Sequence, residues 1–246
     1  MSARFPGGAN NSEAFWDLLQ KGRDGCQEAL ALPCSRFDML ETAMNASTTP
    51  YGFCLGDPAP FDEHFFNISP REALHMDHTQ RIVLLTAYEA LENAGCQLDH
   101  NKASAKMGRS DIFPDVTGND STEATTEQNM VSYFVSGGSR GLMPGRIKYS
   151  FSFSGPSFDT ACSSSLHAIH TAINSLWQRT TDATIANRTD VWVSPVFTAG
   201  LDRGRFTNSS PNIYSRRRPK GDSRADTESM NGLDSMPRLY GKLRLL

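Results

Sequence analysis

The stretch that most limits the fold is 79–94. Ile82, Leu85, Tyr88 (or Ala87) and Leu91 recur at helical spacing, and Val83, Leu84 and Ala90 widen the apolar stripe. A helix that apolar must be covered on more than one side, so it belongs inside a layered domain. Just before it, Ser69-Pro70-Arg71-Glu72 supplies an N-cap, a proline at the first helical position and a glutamate three residues after the cap. A second helix is therefore predicted there. The apolar pattern changes near Asp77-His78, which predicts a break between the two, and Gly95 is a natural stop.

The rest of the chain must supply the covering layers. Its 246 residues are enough for one large domain or two small ones, and a hydrophobic fraction of 38% supports a sizeable core. Asn11 to Leu19 reads as a helix with Ser12 as N-cap and Phe15, Trp16 and Leu19 on one face. Residues 33–61 are turn-rich. Residues 101–130 are polar and read as a loop or insertion, with a short strand at Ile112-Phe113. Gly137-Gly138 reads as a turn. The alternation of Tyr149, Phe151 and Phe153 predicts a short extended segment, ended by Gly155-Pro156. From Ser163 to Trp177, Leu166, Ile169, Ile173, Leu176 and Trp177 share a helical face, with Ala168 and Ala172 beside them. Residues 182–193 read as a strand. Beyond Leu201 apolar residues thin out, and Arg216 to Lys220 is a basic run of the kind found in solvated tails.

Composition excludes several functions. A net charge of −3 gives no footprint for nucleic acid. The cysteines, at 26, 34, 54, 96 and 162, form no C-x-x-C pair, which argues against a zinc site or a redox dithiol and suits reduced thiols. No apolar run reaches the roughly 18 residues of a membrane span, and the N-terminus lacks the apolar segment of a signal peptide. A soluble, cytoplasmic protein with no membrane partner, no metal and no bound cofactor is expected.

One cysteine stands in a special place. Cys162, in Asp159-Thr160-Ala161-Cys162-Ser163-Ser164-Ser165, directly precedes the helix predicted over 163–177. Unpaired N–H groups and the helix dipole favour an anion at such a terminus. Helix N-termini and basic neighbours bring cysteine pKa values from about 8.5 into the range ~3.5–7.5. The small flanking residues would let an acyl chain reach the sulfur, and the same N–H groups could hold a tetrahedral oxyanion. The alternative is a small buried hydrophobe at a strand–helix junction.

Longer stretches carry a resemblance. They are Arg4-Phe5-Pro6-Gly7-Gly8, Thr49-Pro50-Tyr51-Gly52, Phe61 to Ala73, Tyr88-Glu89-Ala90-Leu91-Glu92-Asn93-Ala94-Gly95, Pro144-Gly145-Arg146-Ile147, Gly155-Pro156-Ser157, Asp159 to Leu166, and Ala199-Gly200-Leu201-Asp202-Arg203-Gly204. In order and spacing, residues 1–206 resemble the ketosynthase (β-ketoacyl synthase) domain of fungal iterative type I polyketide synthases of the non-reducing kind. The resemblance implies an α/β, thiolase-like fold, layered α-β-α-β-α, of which this chain would hold the N-terminal half, with a disordered tail over 207–246. It implies acyltransfer to Cys162 and then decarboxylative condensation with malonyl-carrier protein. The partners would be an acyl carrier protein, with substrates on its phosphopantetheine, and a second copy in a homodimer. The alternative is a catalytically dead fragment that only binds a carrier protein or synthase subunit.

The chain also departs from that pattern. Two condensation histidines expected far downstream of the cysteine have no counterpart, since no histidine follows His170. His64, His75, His78, His100, His167 and His170 read as surface or packing residues. Met1 falls inside the family pattern, so the first core strand is expected to be missing. The strand between Ser157 and Asp159 reads about two residues short. Asn187-Arg188 replaces what is usually a Gly-Gly pair after a strand, and the sequence diverges after Asn208.

Overall fold

The punctuation ahead of the apolar helix works as its residues dictate. Helix α1 (Ser12–Gln20) comes first, capped by Asn11, whose side chain accepts from the Ala14 N–H at 2.7 Å, one residue before the expected cap. Strands β1 (Gln27–Glu28) and β2 (Tyr51–Gly52) pair antiparallel, a contact with no signal in the local pattern. Helix α2 (Pro70–Leu74) starts at Ser69, whose hydroxyl accepts from the Glu72 N–H at 3.2 Å. Helix α3 (His78–Asn93) starts at Asp77, whose carboxylate accepts from the Thr79 N–H at 2.6 Å. The break predicted at Asp77-His78 is thus a second capping event. The coordinates are a computed structural model that describes residues 2–23, 25, 27–28, 51–52, 55, 60–95, 110–116, 133–160, 163–189, 191, 200, 203–204 and 236–238.

Strand β3 (Ser110–Val116) is longer than the two residues expected, and it lies inside what reads as a polar insertion. It pairs in parallel with β4 (Ala183–Thr189), from Ser110↔Ala183 to Val116↔Thr189. Strand β5 (Met236–Arg238) adds antiparallel to the other edge of β4, which makes β4 the central strand of three. Along the opposite edge of β3, the Ile112 N–H donates to the Ser154 carbonyl at 2.8 Å. The tail expected to be disordered, 207–246, falls outside the described residues apart from β5.

Strand alternation sorts the core into two layers. Ile112 and Ile185, register partners, face one side together with Val83, Leu84, Ala87 and Leu91 of α3. Met143, Ile147 and Phe151 join that layer from α5 (Met143–Phe151), which follows α4 (Phe134–Gly138) and a 3-10 turn at Arg140–Leu142. Phe113 and Ala186, also partners, face the other side, where Ala168 and Ala172 of α6 (Ser164–Trp177) pack. The order is helix, sheet, helix, and every residue of β4 is buried.

Three sequence expectations need correcting. Tyr149 and Phe151 of the alternation belong to a helix, and Phe153 follows its cap: Met143, Ile147 and Phe151 are buried at i, i+4 and i+8, while Tyr149 is 87% exposed. A three-residue alternation is too short to outweigh that spacing. Gly137 and Gly138 end α4 instead of forming a free turn. A Cβ on Gly137 would sit 2.0 Å from the His75 carbonyl oxygen, so glycine is required for α4 to meet the α2–α3 junction. Finally, α6 does not bury its large residues. Ala168 and Ala172 face the sheet, while Leu166 and Trp177 are exposed.

Candidate functional site

Ala161 and Cys162 lie outside the described residues, as do the other four cysteines. The residues on both sides of the dipeptide are described, and they are tied together. The Thr160 N–H donates to the Ser164 hydroxyl at 3.1 Å, and the Ser163 hydroxyl donates to the Thr160 carbonyl at 2.9 Å. Ser164 is fully buried.

The helix that follows is suited to an anion. Ser163 makes no side-chain cap to α6, because its hydroxyl is committed to Thr160. The first turn carries no acidic residue. Neither the N-cap side chain nor a residue of the first turn therefore neutralises its N–H groups and dipole. Ala168 and Ala172 let α6 approach the sheet closely.

Beside this turn the segment 153–160 leans on α5. Lys148 donates to the Ser157 hydroxyl at 3.1 Å. Burial holds the Lys148 ammonium below its usual pKa, partly offset by nearby Asp111. Gly155, at φ +118°, passes so close to β3 that a Cβ would sit 2.6 Å from the Ile112 carbonyl oxygen. This explains why the Gly155-Pro156-Ser157 stretch needs its glycine.

Among the described residues the histidines do not gather. His64, His75 and His170 are exposed. His170 contacts the Asn174 amide at 2.9 Å, and His167 packs edge-on against Phe158 with ring centroids 4.5 Å apart. His100 lies outside the described residues. Among the described residues no cluster of His, Cys, Asp or Glu could hold a metal, and no helix is long and apolar enough to cross a membrane.

Several stretches that carry the resemblance meet in space. Arg4 pairs with Glu89 of α3, and Phe5 stacks on Phe15 at 3.9 Å. Arg146 of α5 reaches Glu72 of α2 at 2.7 Å and the Ser136 carbonyl at 3.2 Å. These motifs hold helices in place and need no direct part in chemistry.

The family profile described as "Beta-ketoacyl synthase, N-terminal domain" matches residues 1–228. The chain belongs to the β-ketoacyl synthase family. It is 48% identical over 217 residues to the non-reducing polyketide synthase fsr1 of Gibberella fujikuroi, covering 86% of this chain and 9% of that protein. It is 46% identical over 220 residues to the non-reducing polyketide synthase albA of Aspergillus brasiliensis, covering 86% and 10%. Among solved structures it resembles the oxazolomycin ketosynthase domain OzmH KS7 of Streptomyces albus, with a TM-score of 0.69 and 28% identity, covering 85% of this chain and 36% of that one. A ketosynthase from the bacillaene synthase of Bacillus subtilis gives 0.67 and 26%, covering 86% and 34%. The chain thus spans about a tenth of its curated relatives and a third of the solved ketosynthases. Its fold is the thiolase-like fold of those domains.

One feature of the site had only a partial signal in sequence. Asn187 and Arg188 lie within β4 and not after it, and both are buried. Their burial was not legible from the local pattern.

Proposed function

We propose that this chain accepts an acyl group on Cys162 from the thioester of a carrier protein, the first half-reaction of a β-ketoacyl synthase. The support is the site's placement in this family: Cys162 directly precedes an uncapped, acid-free helix N-terminus, between anchored residues Thr160 and Ser163. In the step, the Cys162 thiolate attacks the acyl carbonyl carbon and a new C–S bond forms. The carrier C–S bond breaks, and the phosphopantetheine thiolate leaves and takes up a proton. The N–H groups of the first turn of α6 would hold the transient oxyanion. In the family reading this acyl-enzyme precedes condensation with malonyl-carrier protein, and a homodimer is the working assembly. The relatives named as polyketide synthases support that direction.

A second reading is a catalytically dead fragment. The chain would then bind a carrier protein without turning over. Incubation with an acyl-pantetheine thioester, followed by intact-mass measurement, separates the two. One acyl increment that disappears in Cys162→Ala supports acyl transfer. A folded, carrier-binding chain with no increment supports the second reading.

A further inference from the structure

The outer face of α6 carries no charge. Its 14 residues, Ser164–Trp177, include no Asp, Glu, Lys or Arg. Ala168 and Ala172 face the sheet, which turns Leu166, His170, Ile173 and Trp177 to the opposite side of the helix. These four stand at i, i+4, i+7 and i+11, the spacing of a seam along which one helix packs on another. Leu166 is 70% and Trp177 66% exposed, His170 is exposed and Ile173 is half-buried. The solvent face of a surface helix normally carries charged and polar residues. The ions nearest in sequence, Asp159 before the helix and Arg179 and Asp182 after it, lie beyond its ends.

An uncharged face selects its occupant. A charge set against Leu166 or Trp177 would lose its water and gain no partner. Among the described helices of eight or more residues, α1 carries Glu13 and Asp17, α3 carries Arg81, Glu89 and Glu92, and α5 carries Arg146 and Lys148. Only α6 has no such residue, so a second α6 is the described element that matches the face. The seam is also symmetric about its own centre. The steps from Leu166 to His170, Ile173 and Trp177 are four, three and four residues, and reversal leaves that pattern unchanged. In an antiparallel pair, Leu166 meets the partner's Trp177 at each end, and His170 meets the partner's Ile173 in the middle. Antiparallel helices also bring unlike dipole ends together.

We infer that the outer face of α6 docks a second copy of this chain, the two α6 helices lying antiparallel about a two-fold axis. A helix of this length spans about 21 Å, so the contact belongs at the small end of specific interfaces. Its affinity is accordingly micromolar or weaker. The inference does not rest on acyl transfer: its readout is the mass of the particle, and a chain that fails to acylate Cys162 can still pair.

The test is sedimentation equilibrium of the full chain from about 1 to 300 µM, a range that brackets such an affinity. Far-UV circular dichroism checks that each variant stays folded. The average mass should climb from one chain towards two. Leu166→Glu and Trp177→Lys, both at exposed positions, should each weaken pairing roughly tenfold or more. Leu74→Glu, at a residue of α2 that is 77% exposed, should leave pairing unchanged. An equimolar mixture of Leu166→Glu and Trp177→Lys should pair again. The antiparallel seam then sets glutamate against lysine at one end and keeps Leu166 against Trp177 at the other. Where a charged variant loses its helix signal, Trp177→Ala carries the same test with a smaller loss. A wild-type chain that stays monomeric throughout the range would overturn the inference and leave the face to a helix of another protein. So would a dimer indifferent to both seam substitutions, a dimer that Leu74→Glu disrupts equally, or folded variants that do not pair again on mixing.

Discussion

The two faces of the sheet are held by different means. On the α3 side, Val83, Leu84, Leu91, Ile112, Met143, Ile147 and Ile185 are all 2% exposed or less, and large side chains fill the layer. On the α6 side the fully buried contacts are Phe113 with Ala168, Ala172 and Ala186, so stability there comes from close approach and not from volume. The large residues of α6, Leu166 and Trp177, point away from the sheet. The first face builds the fold. The second positions a helix terminus next to the candidate nucleophile and leaves a charged residue, Arg188, in the layer.

That contrast breaks most readily in the core. Leu84→Ala should cost about 2–5 kcal/mol in denaturant unfolding, whereas Ala172→Gly should cost about 1 kcal/mol, mostly helix propensity. Equal costs would show that the α6 face carries as much of the stability as the α3 face. Next in size is the link between α2 and α5. Arg146→Met should lose about 1.5–3 kcal/mol, since it strands a half-buried Glu72 carboxylate. Glu72→Gln together with Arg146→Met should lose less than the two single losses added together. Strict additivity would mean that the pair is not coupled.

The smallest effect expected is a pH dependence at Lys148. Burial lowers its folded-state pKa below the unfolded value. The unfolded chain therefore binds more protons between those two values, and stability should rise as pH climbs through that alkaline window. The rise attributable to this group should vanish in Lys148→Met. A fall with pH over the same window, removed by that substitution, would reverse the assignment.

What sequence could show followed what is local. The cap at Ser69, the break near Asp77-His78 and the stop near Gly95 are set by neighbouring residues, and all are found in place. Strand β3 was largely hidden because its Ser110, Asp111, Pro114 and Asp115 surround only two apolar residues, and its pairing partner is distant in sequence. The face of α6 was misread because alanines carry little hydrophobic weight, yet they are the residues that permit close packing. Cys162 stands out in the sequence by its position before the helix that α6 confirms, while the residue itself lies outside the described ones. The burial of Arg188 was not legible, because it follows from its place within the buried central strand β4.

The most direct test of acyl transfer is peptide-level mass spectrometry after exposure to an acyl thioester. Five cysteines compete for label in this chain. Acyl transfer at the head of α6 predicts that Cys162 is acylated first and stoichiometrically, and that the other four stay largely unmodified. Label spread evenly over the five, or absent from Cys162 in a folded chain, would contradict it.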